Sequence, residues 1–248
     1  MEHIILITGG SRGIGAATAR LAATRGYAVC ISYVSNQAAA DGVVNEIVSA
    51  GGKALAVQGD VASEPDVVRM FQQVDKAFGE LTALVNNAGI IDIHSRVDSM
   101  SAARLNRIFA TNITGSFICA REAVKRMSTM HGGAGGAIVN LSSAASRIGS
   151  PGEYVDYAAS KGAIDTFTLG LSKEVAAEGI RVNAVRPGVI YTDIHASGGE
   201  PGRVDRVKDS VPMKRGGTAE EVAQTIMWLL SDDASYTTGA IVDVTGGR

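Results

Sequence analysis

The sequence predicts an α/β fold in which a doubly wound, parallel sheet of about seven strands carries helices on both faces. Short runs rich in Val and Ile alternate with longer helical patterns along the chain, as they do in such sheets. The short runs are apolar at successive positions, which is typical of strands that helices cover on both sides. Apolar residues make up 46% of the 248 residues, so the chain has enough material for a large core.

The elements follow one another without a linker or an internal repeat, which predicts a single domain over residues 1–248. The predicted strands are residues 4–7, 28–33, 53–57, 81–86, 136–141, 181–185 and 240–244. The first predicted helix follows the glycine turn and ends at about residue 25, and another begins after Ser63, which caps it. The remaining predicted helices cover 38–50, 101–130, 157–178 and 219–230. Gly26 ends the first helix as a C-terminal glycine does. The glycine-rich stretch 191–217 predicts a mobile substrate-binding flap, with an ordinary exposed loop as the alternative.

Composition excludes several classes of protein. A net charge of −2 argues against a nucleic-acid-binding protein, which would carry a basic face. No apolar run reaches the roughly 18 residues that span a bilayer, and the first residues lack the pattern of a signal peptide. The two cysteines are expected to be buried free thiols, and the four histidines show no metal-ligand spacing. We therefore expect a cytoplasmic protein with no metal, no membrane and no nucleic-acid partner.

A glycine-rich turn lies between the first predicted strand and the first predicted helix. Glycines let the backbone turn sharply there and let a pyrophosphate approach the free N–H groups of the helix N-terminus. The spacing is G-x3-G-x-G, and a tight turn without a ligand is the alternative interpretation. The strand before it and the helix after it favour a Rossmann-like dinucleotide site. The residues that we expect to contact the cofactor here are Gly9, Ser11, Arg12, Gly13, Ile14 and Gly15.

The residues after the second strand indicate which dinucleotide binds. An acidic side chain there would bind a ribose 2′-hydroxyl and repel a 2′-phosphate. This chain instead has Tyr33, Ser35 and Asn36, and Arg12 offers positive charge, so we expect NADP(H) in preference to NAD(H). A solvated loop arginine is the alternative for Arg12. Asp60 and the adjoining Val61 are placed to reach the adenine, although acidic residues are common before helices.

A possible catalytic group appears at Tyr157 and Lys161, which are four residues apart and therefore on one face of a helix. An ammonium one turn from a phenol, together with an oxidised nicotinamide ring, would stabilise the phenolate and lower the tyrosine pKa toward neutral pH. Ser143 ends a strand, where α/β sheets bind ligands, and Ser142 is the fallback if the register differs by one. Asn112 lies mid-helix, where asparagine is a poor helix former. A role in a proton relay would explain it, and so would an ordinary side-chain–backbone hydrogen bond.

Taken together these motifs resemble the short-chain dehydrogenase/reductase family, from Thr8 to the glycine pair before the C-terminus. The resemblance implies that Tyr157 is the general acid and base, Lys161 binds the nicotinamide ribose, Ser143 orients the substrate oxygen and Asn112 holds a relay water. It implies further cofactor contacts along the edge of the sheet, namely Asn86, Ala88, Gly89, Pro187, Gly188, Ile190 and Thr192. Family members are usually tetramers, so a homotetramer is expected.

The expected activity is hydride transfer between NADP(H) and a small-molecule carbonyl or alcohol substrate. Two alternatives belong to other classes. A regulator that senses NADP(H) without turnover would be expected to lose the tyrosine or the lysine, and this chain keeps both. A nucleotide or methyl-donor enzyme would share only the glycine turn. The segments 91–95, 145–154 and 191–217 would contact the substrate, and their side chains suit a small or medium carbonyl compound, a sugar or a fatty intermediate.

Overall fold

The computed structural model describes residues 3–248 and contains one sheet of seven parallel strands in the order β3-β2-β1-β4-β5-β6-β7. The predicted fold class is confirmed. Because β1 has β2 on one side and β4 on the other, the direction of the crossovers reverses at this point. The strands are β1 Ile4–Ile7, β2 Ala28–Tyr33, β3 Lys53–Gln58, β4 Ala83–Asn86, β5 Gly136–Leu141, β6 Ile180–Pro187 and β7 Ile241–Val244.

Ten α-helices lie among the described residues, the longest of them Val155–Val175. Across residues 3–248, no helix is both long and apolar enough to cross a membrane. The helices are α1 Gly13–Thr24, α2 Gln37–Ser49, α3 Glu64–Phe78, α4 Ala102–Phe109, α5 Gly115–Met127, α6 Ala145–Ile148, α7 Val155–Val175, α8 Ile194–Ser197, α9 Arg203–Val207 and α10 Ala219–Leu230.

Two apolar layers form the core, one on each face of the sheet. Alternate residues of β1 point into one layer or the other, because successive side chains of a strand point to opposite faces. Ile5 and Ile7 pack with α1, α2 and α10, whereas Ile4 and Leu6 pack with α3, α5 and the end of α7. All four are at most 3% exposed. The fully apolar runs in the sequence are therefore explained by burial from both sides.

Local signals place several helix ends as expected. Ser63 caps α3 by accepting a hydrogen bond from the Asp66 amide, and Glu64 lies in the first turn. Thr218 and Glu221 form a reciprocal capping box at the start of α10. These ends depend on side chains within three residues of the helix start, so sequence reasoning finds them.

The predicted helix 101–130 is interrupted at its centre. It consists of α4, a five-residue π-helical turn Ala110–Thr114, and α5. Asn112 lies in this turn, where its Oδ1 accepts from the Ile90 amide at 2.8 Å and its Nδ2 donates to Ser160 Oγ at 3.1 Å. The wider turn gives the asparagine side chain its inward position, and π-turns are frequent at functional sites.

Other predicted bounds also differ. Helix 157–178 begins earlier, at Val155, and ends at Val175 with a 3₁₀ turn, and strand 181–185 extends over Ile180–Pro187. The stretch 191–217 is not an irregular loop throughout, since it contains α8 and α9. Cys30 and Cys119 are buried free cysteines, and burial raises the pKa of each thiol to about 12.

Candidate active site

A cavity of about 390 Å³ runs along the carboxyl ends of the strands. It begins at the glycine turn after β1, crosses the ends of β4 and β5, and reaches the segment after β6. This is the edge, beside a reversal of strand order, where open α/β sheets bind ligands. Of the site residues predicted from the sequence, those that line the cavity are Gly9, Ser11, Arg12, Gly13, Ile14, Tyr33, Ser35, Asn36, Asp60, Val61, Ala88, Gly89, Ser143, Tyr157, Lys161, Pro187, Gly188 and Thr192.

Close backbone packing shapes the glycine turn. Gly9 and Gly13 have φ angles of +64° and +53°, which favour glycine. A Cβ on Gly15 would lie 2.6 Å from both Asn87 Nδ2 and Gly9 O, so no side chain fits there. The Asn87 amide group donates to the carbonyls of Thr8 and Gly9 at 2.8 and 3.0 Å. The turn is therefore fixed to the end of β4 before any ligand arrives, and its shape fits a pyrophosphate at the start of α1.

Four predicted contacts do not lie on the cavity wall. Asn86 is 4% exposed, and its side chain donates to Ser116 O and to Asn140 Oδ1 beneath the sheet edge. Asn87, one residue later, lines the cavity instead, because successive side chains at a strand end point to opposite faces. The other three are Gly15, behind the turn, Asn112, 1% exposed, and Ile190, whose side chain packs into the core.

Polar groups at the end of β2 and a cationic group of the glycine turn line the same part of the cavity. Arg12 is exposed and makes no ion pair within the described residues, so its guanidinium is free of a competing carboxylate. Asn36 caps α2 by accepting from the Ala39 amide at 3.0 Å. Ser32, which sequence reasoning missed, lines the cavity and accepts from the Gly9 amide at 3.1 Å. The sequence does carry a signal for Ser32, because it is a polar residue within an otherwise apolar strand.

The phenol and ammonium predicted from the sequence do meet at the far end of the cavity. Tyr157 is in the first turn of α7, and Lys161 Nζ lies 5.6 Å from the centre of its ring. Lys161 is 4% exposed and donates to Leu141 O at 2.6 Å. Both Ser142 and Ser143 line the cavity with Tyr157. Ser143 lowers the pKa of the Tyr157 hydroxyl, whereas Ser142 donates to Lys161 O at 3.2 Å.

Burial dominates the pKa values of this pair. Burial of its hydroxyl raises the pKa of Tyr157, and Ser143 opposes this only in part. The lowering predicted from Lys161 and an oxidised nicotinamide ring refers to the cofactor-bound protein and stays a prediction. Burial also lowers the pKa of Lys161 to about 8, against the opposing attraction of Asp165. At pH 7 the tyrosine is a phenol, the form that donates a proton, and the lysine is mainly an ammonium.

The stretch 191–217 contributes Thr192, Ile194 and Arg203 to the cavity wall, at the end predicted to hold the substrate. Arg203 joins the stretch to the segment before α7 through Glu153 at 2.5 Å, and it also pairs with Glu200 of the same stretch at 3.1 Å. The Arg203 guanidinium also lies 5.2 Å from the centre of the Tyr154 ring. Ile91, Ile148 and Ile194 add apolar surface to this end of the wall, and Asp193, His195 and Arg203 add polar or charged groups.

No group of three or more His, Cys, Asp or Glu side chains within residues 3–248 is arranged to hold a metal ion.

Comparisons with known proteins agree with this geometry. A family model described as enoyl-(acyl carrier protein) reductase matches residues 9–248. The oxidoreductase YgfF of Escherichia coli is 63% identical over 99% of both chains. The chain belongs to the short-chain dehydrogenase/reductase family. It is therefore an oxidoreductase of that type, as the resemblance implied.

Two further members of the family are informative. A 3-oxoacyl-[acyl-carrier-protein] reductase of Synechocystis is 38% identical and covers 99% of this chain and 96% of its own. The structure of a short-chain dehydrogenase from Burkholderia cenocepacia in complex with NADP superimposes with a TM-score of 0.90. That protein is 30% identical, with 99% of this chain and 97% of the other covered.

Replacing Gly15 with alanine is expected to destabilise the glycine turn, because the methyl group would overlap Asn87 and the Gly9 carbonyl. We expect a loss of about 2 kcal/mol in the free energy of unfolding, in the range of overpacked sites, and weaker dinucleotide binding. Gly42→Ala is the matched control, since a Cβ there meets nothing within 4 Å. Urea unfolding of both variants checks this, and equal stabilities would contradict it.

Proposed function

We propose that this family member transfers hydride between NADP(H) and the carbon of a carbonyl or alcohol group, with Tyr157 as the general acid and base. The observation that carries the proposal is that Tyr157, Ser143 and the buried Lys161 line one cavity together with the glycine turn, with Lys161 Nζ 5.6 Å from the centre of the Tyr157 ring. A nucleotide-binding regulator would need the turn but would not need these three side chains together.

Each side chain has a separate task in carbonyl reduction. The nicotinamide, when bound, supplies the hydride. Ser143 donates a hydrogen bond to the substrate oxygen and holds it beside the phenol. Tyr157 donates its proton to that oxygen as negative charge develops, and in alcohol oxidation it accepts the proton. The Lys161 ammonium stabilises the resulting phenolate, which lowers the cost of proton loss from a hydroxyl whose pKa burial has raised.

Asn112 supports this group from behind. Its Oδ1 and the Lys161 Nζ both lie within 3.6 Å of the position that a Cβ on Gly89 would take. Its side chain also donates to Ile90 O at 3.0 Å. We propose that Asn112 holds the backbone after β4, and the proton path to Lys161, in place.

The substrate end favours a carbonyl compound with an apolar portion. Ile91, Ile148 and Ile194 line it, and the relatives include proteins named as 3-oxoacyl-[acyl-carrier-protein] reductases. We propose that residues 1–248 work as one catalytic domain, with 191–217 as a mobile flap over this end. A panel of aliphatic ketones, sugars and 3-oxoacyl thioesters with NADPH tests the range.

Replacing Tyr157 with phenylalanine is expected to abolish turnover, because the proton donor is lost while the ring remains. NADPH binding, measured by nicotinamide fluorescence, should stay within about twofold of the wild type. A remaining rate above about a tenth, a loss of only ~1.4 kcal/mol, would rule out Tyr157 as the proton donor. Tyr27→Phe is the control, since Tyr27 packs in the core. A wild type that binds NADPH and turns over no carbonyl would favour the regulator.

The cofactor preference is proposed to depend on Arg12. With Tyr33, Ser35 and Asn36 after β2 and no carboxylate paired with Arg12 among the described side chains, a 2′-phosphate would meet positive charge without repulsion. Asp60 and Val61 are proposed to contact the adenine.

Arg12→Ala is expected to weaken NADPH binding about tenfold or more while changing NADH binding less than about threefold, because only NADPH carries the phosphate. Arg25→Ala, at the far end of α1, is the matched control. Titration of both cofactors by fluorescence measures the effect. Equal losses for the two cofactors would refute the assignment.

We also propose that the protein is a cytoplasmic homotetramer. Buried free thiols suit a reducing compartment. Phe117 on α5 and Leu169 on α7 are 46% and 43% exposed, and Phe117 stacks on Phe167 with ring centres 3.7 Å apart. Beside the last strand, Tyr236 is fully exposed. Large exposed apolar side chains on adjoining helices indicate an interaction surface.

Phe117→Asp is expected to break this assembly, because a buried unpaired carboxylate at an interface costs several kcal/mol. Light scattering should give the mass of four 25.6 kDa chains for the wild type and a smaller species for the variant. Val34→Asp is the control, since Val34 is 58% exposed and follows β2 instead of lying on α5 or α7. A monomeric wild type would disprove the proposal.

A further inference from the structure

A buried ion pair joins α4 to the start of the catalytic helix. Arg104 Nε donates to Asp156 Oδ2 at 2.7 Å, and Arg104 Nη2 donates to Asp156 Oδ1 at 3.3 Å. Arg104 is 9% exposed and Asp156 is 3% exposed. Asp156 immediately precedes Tyr157, and its Oδ1 also accepts from the Tyr157 amide at 2.9 Å. The carboxylate thus connects the guanidinium directly to the backbone of the catalytic tyrosine.

The same guanidinium also holds the chain that follows β4. Arg104 Nη1 donates to Ile93 O at 2.7 Å. A second link joins the two held segments to each other, since the Ser95 amide donates to Glu153 O at 3.0 Å. Arg104 therefore bonds to two segments that are about sixty residues apart in the sequence, and its planar donors fix the angle between them.

These two segments form opposite parts of the cavity wall. Ile90 and Ile91 line it from the connection after β4, and Tyr154 and Tyr157 line it from the start of α7. Asn112 already holds the near end of the connection at Ile90, whereas Arg104 holds it at Ile93. Arg104, which does not itself line the cavity, is thus one of the links that set the distance between the proposed proton donor and the substrate-side wall.

A gain in folding stability does not explain the buried Arg104–Asp156 ion pair. Taking two charges out of water costs about as much as their attraction returns, and a well-packed apolar pair often serves equally well. What an arginine–carboxylate pair adds is direction, because three donors in one plane have to meet their acceptors together.

We propose that Arg104 is a positioning residue that sets the catalytic tyrosine against the substrate-binding wall. This inference rests on the proposed function for its kinetic consequence, but its structural consequence can be measured without turnover. Loss of the guanidinium should loosen residues 90–95 and 153–157 together and leave the glycine turn, at the other end of the cavity, unchanged.

The test compares Arg104→Met, Arg104→Lys and the control Arg96→Met. Arg96 is exposed and pairs locally with Asp98, on the same connection between β4 and α4. Steady-state kinetics give kcat and KM for a carbonyl substrate, fluorescence gives the Kd of NADPH, and amide hydrogen exchange reports on both segments. Exchange has to be measured on free protein and with NADPH.

We expect Arg104→Met to lower kcat/KM about a hundredfold, because a displacement near 1 Å costs this much, with the Kd of NADPH within about twofold. Arg104→Lys keeps the charge but loses the planar donors, so we expect a loss of about tenfold and faster exchange in both segments. If Arg104→Met does not fold, the kinetic and exchange results for Arg104→Lys test the inference.

Wild-type kcat/KM in Arg104→Lys, or equal loss of NADPH binding and turnover, would overturn the inference, as would faster exchange in only one segment. A wild type without turnover would count against the proposed function alone, since the exchange result still tests the positioning role.

Discussion

The contact between the ends of β1 and β4 is the constraint on which the site depends. Thr8 Oγ1 accepts from the Asn87 and Ala88 amides, each at 3.0 Å. A Cβ at Gly9 would come within 3.1 Å of the Ala88 backbone, so the two chain segments meet without side chains between them. Because the crossovers diverge at this point, helices leave the edge open here, and the ends of the neighbouring strands surround one cavity. Any side chain at position 9 or 15 would push the glycine turn away from the end of β4.

Beneath that edge lies a buried polar network that holds the catalytic side rigid. Asn86 donates to Asn140, Asn140 donates to Thr168 on α7 at 3.0 Å, and Asn112 donates to Ser160 on the same helix. Buried hydrogen bonds of this kind are costly to leave unmade, so they specify one arrangement. The stretch 191–217 differs, since it carries exposed ion pairs of its own such as Arg206–Glu200, which contribute little to stability. The proposed proton donor thus stands on a buried hydrogen-bond network, whereas the proposed flap does not.

Burial acts on both members of the catalytic pair in the direction of their neutral forms. It raises the pKa of Tyr157 and lowers that of Lys161 to about 8. Asp165, one turn beyond Lys161, opposes the loss of the ammonium, and Arg186 holds Asp165 at 2.8 Å. Asp165, which does not line the cavity, thus favours the charged form of Lys161 that would stabilise a phenolate. Sequence spacing alone placed the ammonium near the tyrosine, but it contains no measure of the burial that raises the tyrosine pKa in the absence of cofactor.

The sequence by itself determined the fold class, the order of the strands and helices along the chain, the glycine turn and the Tyr157–Lys161 spacing. All of these are local, since periodicity, caps and i,i+4 spacing involve residues within a turn or two of each other. Tertiary structure alone decided that Asn87 rather than Asn86 faces the cavity and that Ser143 rather than Ser142 meets the tyrosine. It also decided the π-turn at Asn112 and the link from Arg104 to Asp156. The physical reason is that a side chain at a strand end changes face with each residue, and that partners fifty residues apart are brought together only by the packed sheet.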